Sequence, residues 1–172
     1  MLAPADQAAL LAMRKARAVA SGLDAGRVIG ADTMVVLDGE ILGKPADDEH
    51  ATAMLRRLSG REHQVITGVA LVDAANGASV HRTVTSRVRL KPLRDDEISA
   101  YVATGEPRDK AGAYAIQGIG AELIAGFDGC YNNVVGLPLC YLSVLLAHAG
   151  IEVPPPGGFC RLPDGTLCTS SV

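Results

Sequence analysis

An acidic residue interrupts an apolar run near the start of the chain. The run extends from Val28 to Leu37, which is too short to span a membrane and too apolar to be an exposed loop, so it predicts a buried strand or strand pair. Asp32 lies inside this run, where a carboxylate carries a desolvation penalty unless a cation, a metal ion or hydrogen-bond donors compensate it. Asp32 is therefore either a structural acid satisfied by its neighbours or a group that performs chemistry, and both interpretations fit this segment.

A lysine follows the same run at the distance of one hairpin. Asp38-Gly39 is a two-residue turn signal, because both residue types tolerate the positive φ angles of a type I′ turn. The hairpin predicts that Lys44 returns alongside the first strand, near Asp32. A carboxylate and a lysine side by side are the minimum set of side chains for chemistry on a phosphate group.

A second lysine lies on a predicted helix before the strand. Residues 6–21 have a helical pattern that begins after a proline and ends at a glycine. Leu11, Lys15, Ala18 and Val19 share one face of this helix, so Lys15 is predicted to lie on the apolar stripe. Two interpretations fit that position: the aliphatic stem packs while the ammonium group reaches water, or the ammonium group binds a ligand.

The rest of the chain alternates helical and strand patterns. The predicted helices cover about 47–58, 95–103 and 138–150, and the predicted strands cover about 63–72, 81–90 and 123–127. Between the predicted helix at 95–103 and the last predicted strand lies a glycine-rich segment, Lys110 to Gly120, with neither a helical nor a strand period. Since glycines let the backbone approach a ligand closely, this segment is the second candidate for function.

Length and composition limit the possible classes of protein. The 172 residues suit one domain, and a net charge of −3 argues against nucleic-acid binding through bulk positive charge. The four cysteines form no Cys-x-x-Cys pair, so we expect thiols in a reducing compartment rather than a metal cage. Without a secretory signal pattern or an apolar run of transmembrane length, we expect a cytoplasmic protein that does not bind membranes.

The C-terminal segment has a different composition. A Pro/Gly-rich stretch begins at Val153, and the residues beyond it have little apolar surface to bury. We therefore predict a domain over residues 1–152 and a mobile tail over residues 153–172. Cys160 and Cys168 lie in this tail, where incidental exposed thiols are a more frequent finding than a redox pair.

An ordered set of motifs resembles one known protein family. The motifs are Gly30-Ala31-Asp32-Thr33, Leu42-Gly43-Lys44-Pro45, Leu58-Ser59-Gly60-Arg61, Thr67-Gly68-Val69, Asp109-Lys110-Ala111-Gly112-Ala113-Tyr114, Ile116-Gln117-Gly118 and Asn133-Val134-Val135-Gly136-Leu137-Pro138. They resemble the Maf family of nucleoside triphosphate pyrophosphatases, also called septum formation proteins, from about Ala12 to Leu146.

The resemblance implies a fold. This family is a mixed α/β fold of the Maf and inosine-triphosphatase-like type, with a long twisted mixed sheet flanked by helices. Its two lobes enclose a cleft, and its members are often homodimers.

The resemblance also implies roles for single residues. Asp32 corresponds to the proton acceptor, Thr33 and Gln117 to residues that help select the base, and Lys15, Lys44 and Lys110 to lysines near the triphosphate. A divalent cation, Mg²⁺ or Mn²⁺, is expected with the nucleotide. A sister subgroup associated with 7-methyl-GTP has Asp-Gln at Asp32-Thr33 and Ser-Glu at Ile116-Gln117, so this chain resembles the subgroup that hydrolyses dTTP and UTP.

One part of the family pattern is missing from the sequence. The family begins with a strand leading into Ser-Pro-Arg-Arg, whereas this chain starts in what corresponds to the following helix. Paired arginines would make bidentate contacts to phosphate that lysines do not reproduce. Two explanations remain open, namely a start codon assigned too late and a truncation that impairs activity.

Three functions follow from these observations. The first is hydrolysis of dTTP and UTP to the monophosphate and pyrophosphate. The second is a non-catalytic nucleotide-binding or division-regulating protein, which the missing arginines favour. The third is a pyrophosphatase acting on a purine or modified nucleotide, which would keep the same residues and differ in its contacts to the base.

Overall fold

The computed structural model describes residues 2–153, 162, 165 and 166. The helices within this range are α1 (Pro4–Ala20), α2 (Asp48–Leu58), α3 (Asp95–Ala103), α4 (Tyr131–Val135) and α5 (Leu139–His148). The strands are β1 (Arg27–Leu37), β2 (Glu40–Leu42), β3 (Glu62–Asp73), β4 (Ser79–Leu90) and β5 (Ile124–Asp128). Short 3-10 turns cover Glu106–Asp109, Ala111–Ala113 and Gly118–Leu123. The predicted tail from Val153 onward, with Cys160 and Cys168, lies largely outside the described residues.

The strands form one sheet in the order β2-β1-β3-β4-β5. Strands β1 and β2 pair antiparallel, with Leu37 opposite Glu40. Strands β4 and β5 also pair antiparallel, with Arg87 opposite Asp128, and their register shifts between Arg89 and Leu90. The predicted mixed α/β class, with a sheet flanked by helices, is confirmed.

The chain divides into two compact units. The first unit contains the described residues of Met1–Thr33, Ile66–Thr85 and Cys130–Val172, and the second contains Met34–Val65 and Ser86–Gly129. Strands β1, β3 and β4 each contribute residues to both units. Two units agree with the predicted two lobes, and the cleft stays a prediction.

In the first unit, α1 packs through a row of alanines. Ala8, Ala12, Ala16 and Ala20 recur every four residues, and all four are buried. Ala12, Ala16 and Ala20 form a core cluster with two residues of β3, Ala70 and Val72. Since alanine side chains are short, the helix backbone can approach the sheet closely.

The predicted apolar stripe of α1 is therefore wrong. Ala18 is exposed and Val19 is 58% exposed, while Lys15 has an exposed side chain beside the buried row. The pattern that assigned Lys15 to the stripe followed the larger apolar side chains. Close packing of backbone against backbone instead selects the smallest residues for the interior.

In the second unit, the observed turn and helix start agree with the local sequence. Asp38 and Gly39 both have positive φ, 53° and 82°, as a type I′ turn requires. Asp47 caps α2 by accepting a hydrogen bond from the His50 amide at 2.7 Å. The buried residues of α2 (Ala51, Met54, Leu55 and Leu58) and of α3 (Ile98, Tyr101 and Val102) recur at the three- and four-residue spacing of a helix face.

The two faces of β4 alternate between buried and exposed residues from Val84 to Leu90. Val84, Ser86, Val88 and Leu90 are buried, while the intervening residues are exposed. The short helix α4 has no counterpart in the predicted elements. Within the part of the chain that the structure covers, no helix combines the length and apolarity needed to cross a membrane.

Candidate active site

Asp32 and Lys15 are directly paired in the first unit. The Lys15 Nζ atom lies 2.6 Å from Oδ1 of Asp32 and donates a second hydrogen bond to the Ala31 carbonyl at 3.3 Å. The side chain of Asp32 is 15% exposed, whereas that of Lys15 is 59% exposed. A cation therefore compensates the carboxylate that interrupts β1, and the lysine belongs to the candidate site rather than to the core.

Two glycines on the sheet bring α1 close enough for this pairing. A Cβ atom placed on Gly30 would overlap the carbonyl oxygen of Ala12 and lie 2.8 Å from the Ala16 nitrogen. A Cβ atom on Gly68 would overlap the Ala8 carbonyl and lie 2.6 Å from the Ala9 nitrogen. The helix backbone thus rests directly on β1 and β3, and Lys15 reaches Asp32 from that position.

The next residue of β1, Thr33, begins a short chain of hydrogen bonds. Its hydroxyl lies 2.9 Å from the hydroxyl of Thr67 on β3, which in turn donates to the carbonyl of Asn133 in α4 at 2.9 Å. Thr67 and Asn133 are fully buried, and Thr33 is partly buried. The hydroxyl of Thr33 is therefore linked to β3 directly and to α4 through Thr67.

In the second unit, the structure brings Lys44 and Lys110 to a common acidic neighbour. Lys110 lies 2.9 Å from Asp109, and the pKa of Asp109 is lowered by that hydrogen bond and, to a smaller extent, by the charge of Lys44. The backbone explains this proximity, because the Gly112 amide donates to the Gly43 carbonyl at 3.0 Å. The glycine-rich segment is thus tied to the residue that precedes Lys44.

Glu106 holds the part of the glycine-rich segment that follows Gln117. Its carboxylate accepts hydrogen bonds from the amides of Ile119 at 3.2 Å and Gly120 at 2.8 Å. Burial acts to raise the pKa of Glu106, but hydrogen bonds from Tyr101, Gly120 and Ile119 lower it overall. Gln117 itself is exposed at the start of this turn.

A buried aromatic pair anchors the same segment nearer to Lys110. His63 Nε2 lies 2.6 Å from the Tyr114 hydroxyl, and the two rings meet edge to face with centroids 5.2 Å apart. Burial lowers the pKa of His63 to about 4 and raises that of Tyr114. His63 is therefore neutral near pH 7, and its contact with Tyr114 is between uncharged groups.

The structure divides the six predicted site residues into two groups. Lys15, Asp32 and Thr33 lie together in the first unit, and Lys44, Lys110 and Gln117 belong to the second. The prediction that the hairpin brings Lys44 near Asp32 concerns residues of different units, so it stays a prediction.

The donor set for a divalent cation is sparse within the described residues. No three side chains of His, Cys, Asp or Glu converge there as they would in an all-protein metal cage. Mg²⁺ is commonly held by one or two carboxylates together with the phosphates of a substrate. Within the described residues, Lys15 is the only hydrogen-bond partner of the Asp32 side chain. Asp32 therefore fits that kind of site.

The sequence motifs assign no role to three residues around the candidate site, namely Thr67, Glu106 and His63. Thr67 nevertheless interrupts the apolar run of β3 as Asp32 interrupts that of β1. A buried hydroxyl needs a partner, so this interruption was an available signal. The partners themselves lie 34 and 66 residues away, which no local pattern reveals.

Comparison with known proteins gives a consistent result. The dTTP/UTP pyrophosphatase of Pelotomaculum thermopropionicum is 54% identical over 152 residues, which cover 88% of this chain and 80% of that protein. The dTTP/UTP pyrophosphatase of Geobacter sulfurreducens is 56% identical over 148 residues, covering 86% of this chain and 78% of that protein. That of Moorella thermoacetica is 53% identical over 152 residues, covering 88% and 78%.

A family-wide comparison covers both groups of candidate residues. The sequence model of the family described as "Maf-like protein" matches residues 2–149. This range includes every predicted site residue, from Lys15 to Gln117, and the elements that hold them. The chain therefore belongs to the Maf-like protein family.

Proposed function

We propose that this protein hydrolyses dTTP and UTP to the corresponding monophosphate and pyrophosphate. The observation that carries the proposal is the Lys15–Asp32 pair, which places an ionisable acid and a cation at a partly exposed point of an apolar strand. The relatives named dTTP/UTP pyrophosphatase, at 53 to 56% identity, support the same reaction and the same substrates.

The reaction needs a base and a positive charge close to the phosphorus that is attacked. A water molecule attacks the α-phosphorus, its proton passes to a base, and the bond from that phosphorus to the bridging oxygen breaks to release pyrophosphate. Asp32 is the proposed base. Lys15 lies beside it and stabilises the negative charge that develops during the attack.

The remaining site residues bind the nucleotide. Lys44 and Lys110, which both act on Asp109, are proposed to contact phosphate oxygens. Thr33 and Gln117 carry the polar groups proposed for the base, since hydroxyl and amide groups pair with the edge of uracil or thymine.

A divalent cation, Mg²⁺ or Mn²⁺, is proposed to accompany the triphosphate. Asp32 is the carboxylate that would hold it, as the alternative to its role as base. When bound, the cation neutralises charge on the phosphates and polarises the bond that breaks.

The cytoplasmic location, the homodimer and a part in septum formation belong to the same proposal. Sedimentation of the purified chain tests the homodimer.

Release of pyrophosphate from dTTP and UTP in the presence of Mg²⁺ tests the activity. We expect turnover by the unaltered chain and loss of about 10³-fold or more in the variant Asp32→Asn, because the variant lacks the base. Asp24→Asn, at an exposed acid outside the site, is the matched control. Near-normal turnover in Asp32→Asn would overturn the assignment of the base.

The alternatives give different results in the same assay. Binding of dTTP without pyrophosphate release by the unaltered chain would favour a non-catalytic nucleotide-binding protein. A panel that adds GTP, dCTP and 7-methyl-GTP separates a pyrimidine enzyme from one that acts on another nucleotide. A clear preference for one of these three over dTTP and UTP would contradict the proposed substrates.

A further inference from the structure

The hydroxyl groups of Thr33 and Thr67 form a hydrogen-bond chain with only one possible direction. Thr67 donates its single hydroxyl hydrogen to the carbonyl of Asn133, because a carbonyl oxygen can only accept. Thr67 therefore has no hydrogen left for Thr33. It follows that, in the 2.9 Å contact between the two hydroxyls, Thr33 is the donor and Thr67 the acceptor.

The end of this chain is firmly held. The Asn133 carbonyl also accepts the amide of Gly136 at 3.0 Å, so both of its lone pairs have partners. Thr67 and Asn133 have no exposed surface. Because water does not reach these groups, the direction of the chain cannot be reversed by exchange with solvent.

The consequence falls on Thr33, which is the partly exposed end of the chain. Its hydrogen is committed to Thr67, so the Thr33 hydroxyl offers a ligand lone pairs and no hydrogen. Gly136 lies beside this hydroxyl: a Cβ atom there would be in ordinary van der Waals contact with the Thr33 oxygen at 3.5 Å, and its φ of 121° favours glycine.

We propose that Thr67 is a positioning residue that makes Thr33 a hydrogen-bond acceptor and thereby selects pyrimidines whose ring N3 carries a hydrogen. The inference rests on the proposed function, in which Thr33 contacts the base. Uracil and thymine have an N–H at N3, whereas cytosine has a lone pair there. The proposal places the Thr33 hydroxyl against ring position 3 rather than against the exocyclic group at C4, where cytosine carries a donor of its own. In that position an acceptor at Thr33 favours UTP and dTTP over CTP and dCTP.

UTP and CTP are the appropriate probes because they differ only on the edge of the base. We expect the unaltered chain to prefer UTP in kcat/KM. In Thr67→Val, which keeps the shape and removes the hydroxyl, Thr33 becomes free to donate. The ratio of kcat/KM for UTP to that for CTP should then fall about 10-fold, mainly through KM, as loss of one directed hydrogen bond predicts.

Two further variants separate direction from simple stability. Thr67→Ser retains the hydroxyl and should keep the ratio of the unaltered chain. Thr33→Val removes the acceptor itself and should lower the ratio of kcat/KM for UTP to that for CTP to the same extent. In the double variant, the two effects should not add, because both act through one contact.

Failure of the proposed function and failure of the role of Thr67 give different results in this assay. If the unaltered chain releases no pyrophosphate from UTP or dTTP, the proposed function fails. If it is active but Thr67→Val changes both nucleotides equally or leaves their ratio unchanged, Thr67 has a structural role only and the inference is overturned. Should Thr67→Val not fold, an unchanged ratio in Thr33→Val overturns it.

Discussion

Lys15 and Asp32 form an ion pair of 2.6 Å although they lie on a helix and a strand, 17 residues apart in the sequence. The carboxylate is mostly enclosed, and the ammonium group approaches it from the exposed edge of α1. Because the Lys15 side chain is 59% exposed, solvent screens the attraction, and the pair contributes about 0–1 kcal/mol to stability. The pair thus compensates the enclosed carboxylate and also places a cation at the partly exposed end of the candidate site.

Replacing Lys15 should affect catalysis far more than stability. We expect Lys15→Met to lower kcat/KM for dTTP by about 10²-fold, which is typical for removal of one group that stabilises developing charge. Lys15→Arg keeps the charge and should retain part of the activity. The control Arg14→Met alters an exposed neighbour on α1 and should leave both activity and thermal stability unchanged. Normal activity in Lys15→Met would remove this lysine from the site.

The carboxylate of Glu106 should control the order of the segment that follows Gln117. Glu106→Gln replaces one accepting oxygen by an amide nitrogen, so the Ile119 or Gly120 amide loses its partner. We expect hydrogen exchange about 10-fold faster at the amide that loses its partner, together with a raised KM for UTP. Glu122→Gln is the matched control, since that side chain is exposed. Unchanged exchange at both amides would show that Glu106 does not hold this segment.

The buried histidine predicts a loss of stability in mild acid. His63 has a pKa of about 4 in the folded protein, against 6.5 for the group in water. Between these two pH values the unfolded chain binds more protons than the folded chain, so the free energy of unfolding falls as the pH is lowered. The stabilisation is complete above pH 6.5. From pH 7 to pH 5, the expected loss from this residue is about 2 kcal/mol.

Urea unfolding at pH 7 and pH 5 measures that loss. His63→Gln, which retains a polar partner for Tyr114 and does not titrate, should show a smaller difference between the two pH values than the unaltered chain. His81→Gln changes an exposed histidine of β4 and should keep the full difference. The same pH dependence in all three proteins would exclude His63 as its source.

The two sheet glycines beneath α1 should tolerate no side chain. Gly68→Ala places a methyl group against the backbone of Ala8 and Ala9, and the expected cost is about 1–3 kcal/mol in the free energy of unfolding. Gly30→Ala should act in the same way and also displace Lys15 from Asp32. Gly126→Ala, on β5 with open space around it, is the control and should be close to neutral. Chemical denaturation of the three variants decides the matter.

Much of the fold could be predicted from the sequence because its signals are local. The Asp38-Gly39 turn, the Asp47 cap and the alternating faces of β4 each depend on residues a few positions apart. Local backbone preference and side-chain period determine such features wherever they occur. The same holds for the position of Asp32 within a strand, which an interrupted apolar run indicates by itself.

The partners across the fold were decided only by the tertiary structure. The contact of Asp32 with Lys15, the alanine row of α1 and the chain from Thr33 through Thr67 to Asn133 each join segments that are distant in sequence. The period of a helix or strand defines which residues share a face, but the approach of one backbone to another defines which atoms meet. The sequence by itself determined the types of group in the candidate site and the strand that carries its acid. Packing of α1 on Gly30 and Gly68 decided which cation that acid faces, because only a close approach of the two backbones brings Lys15 within reach.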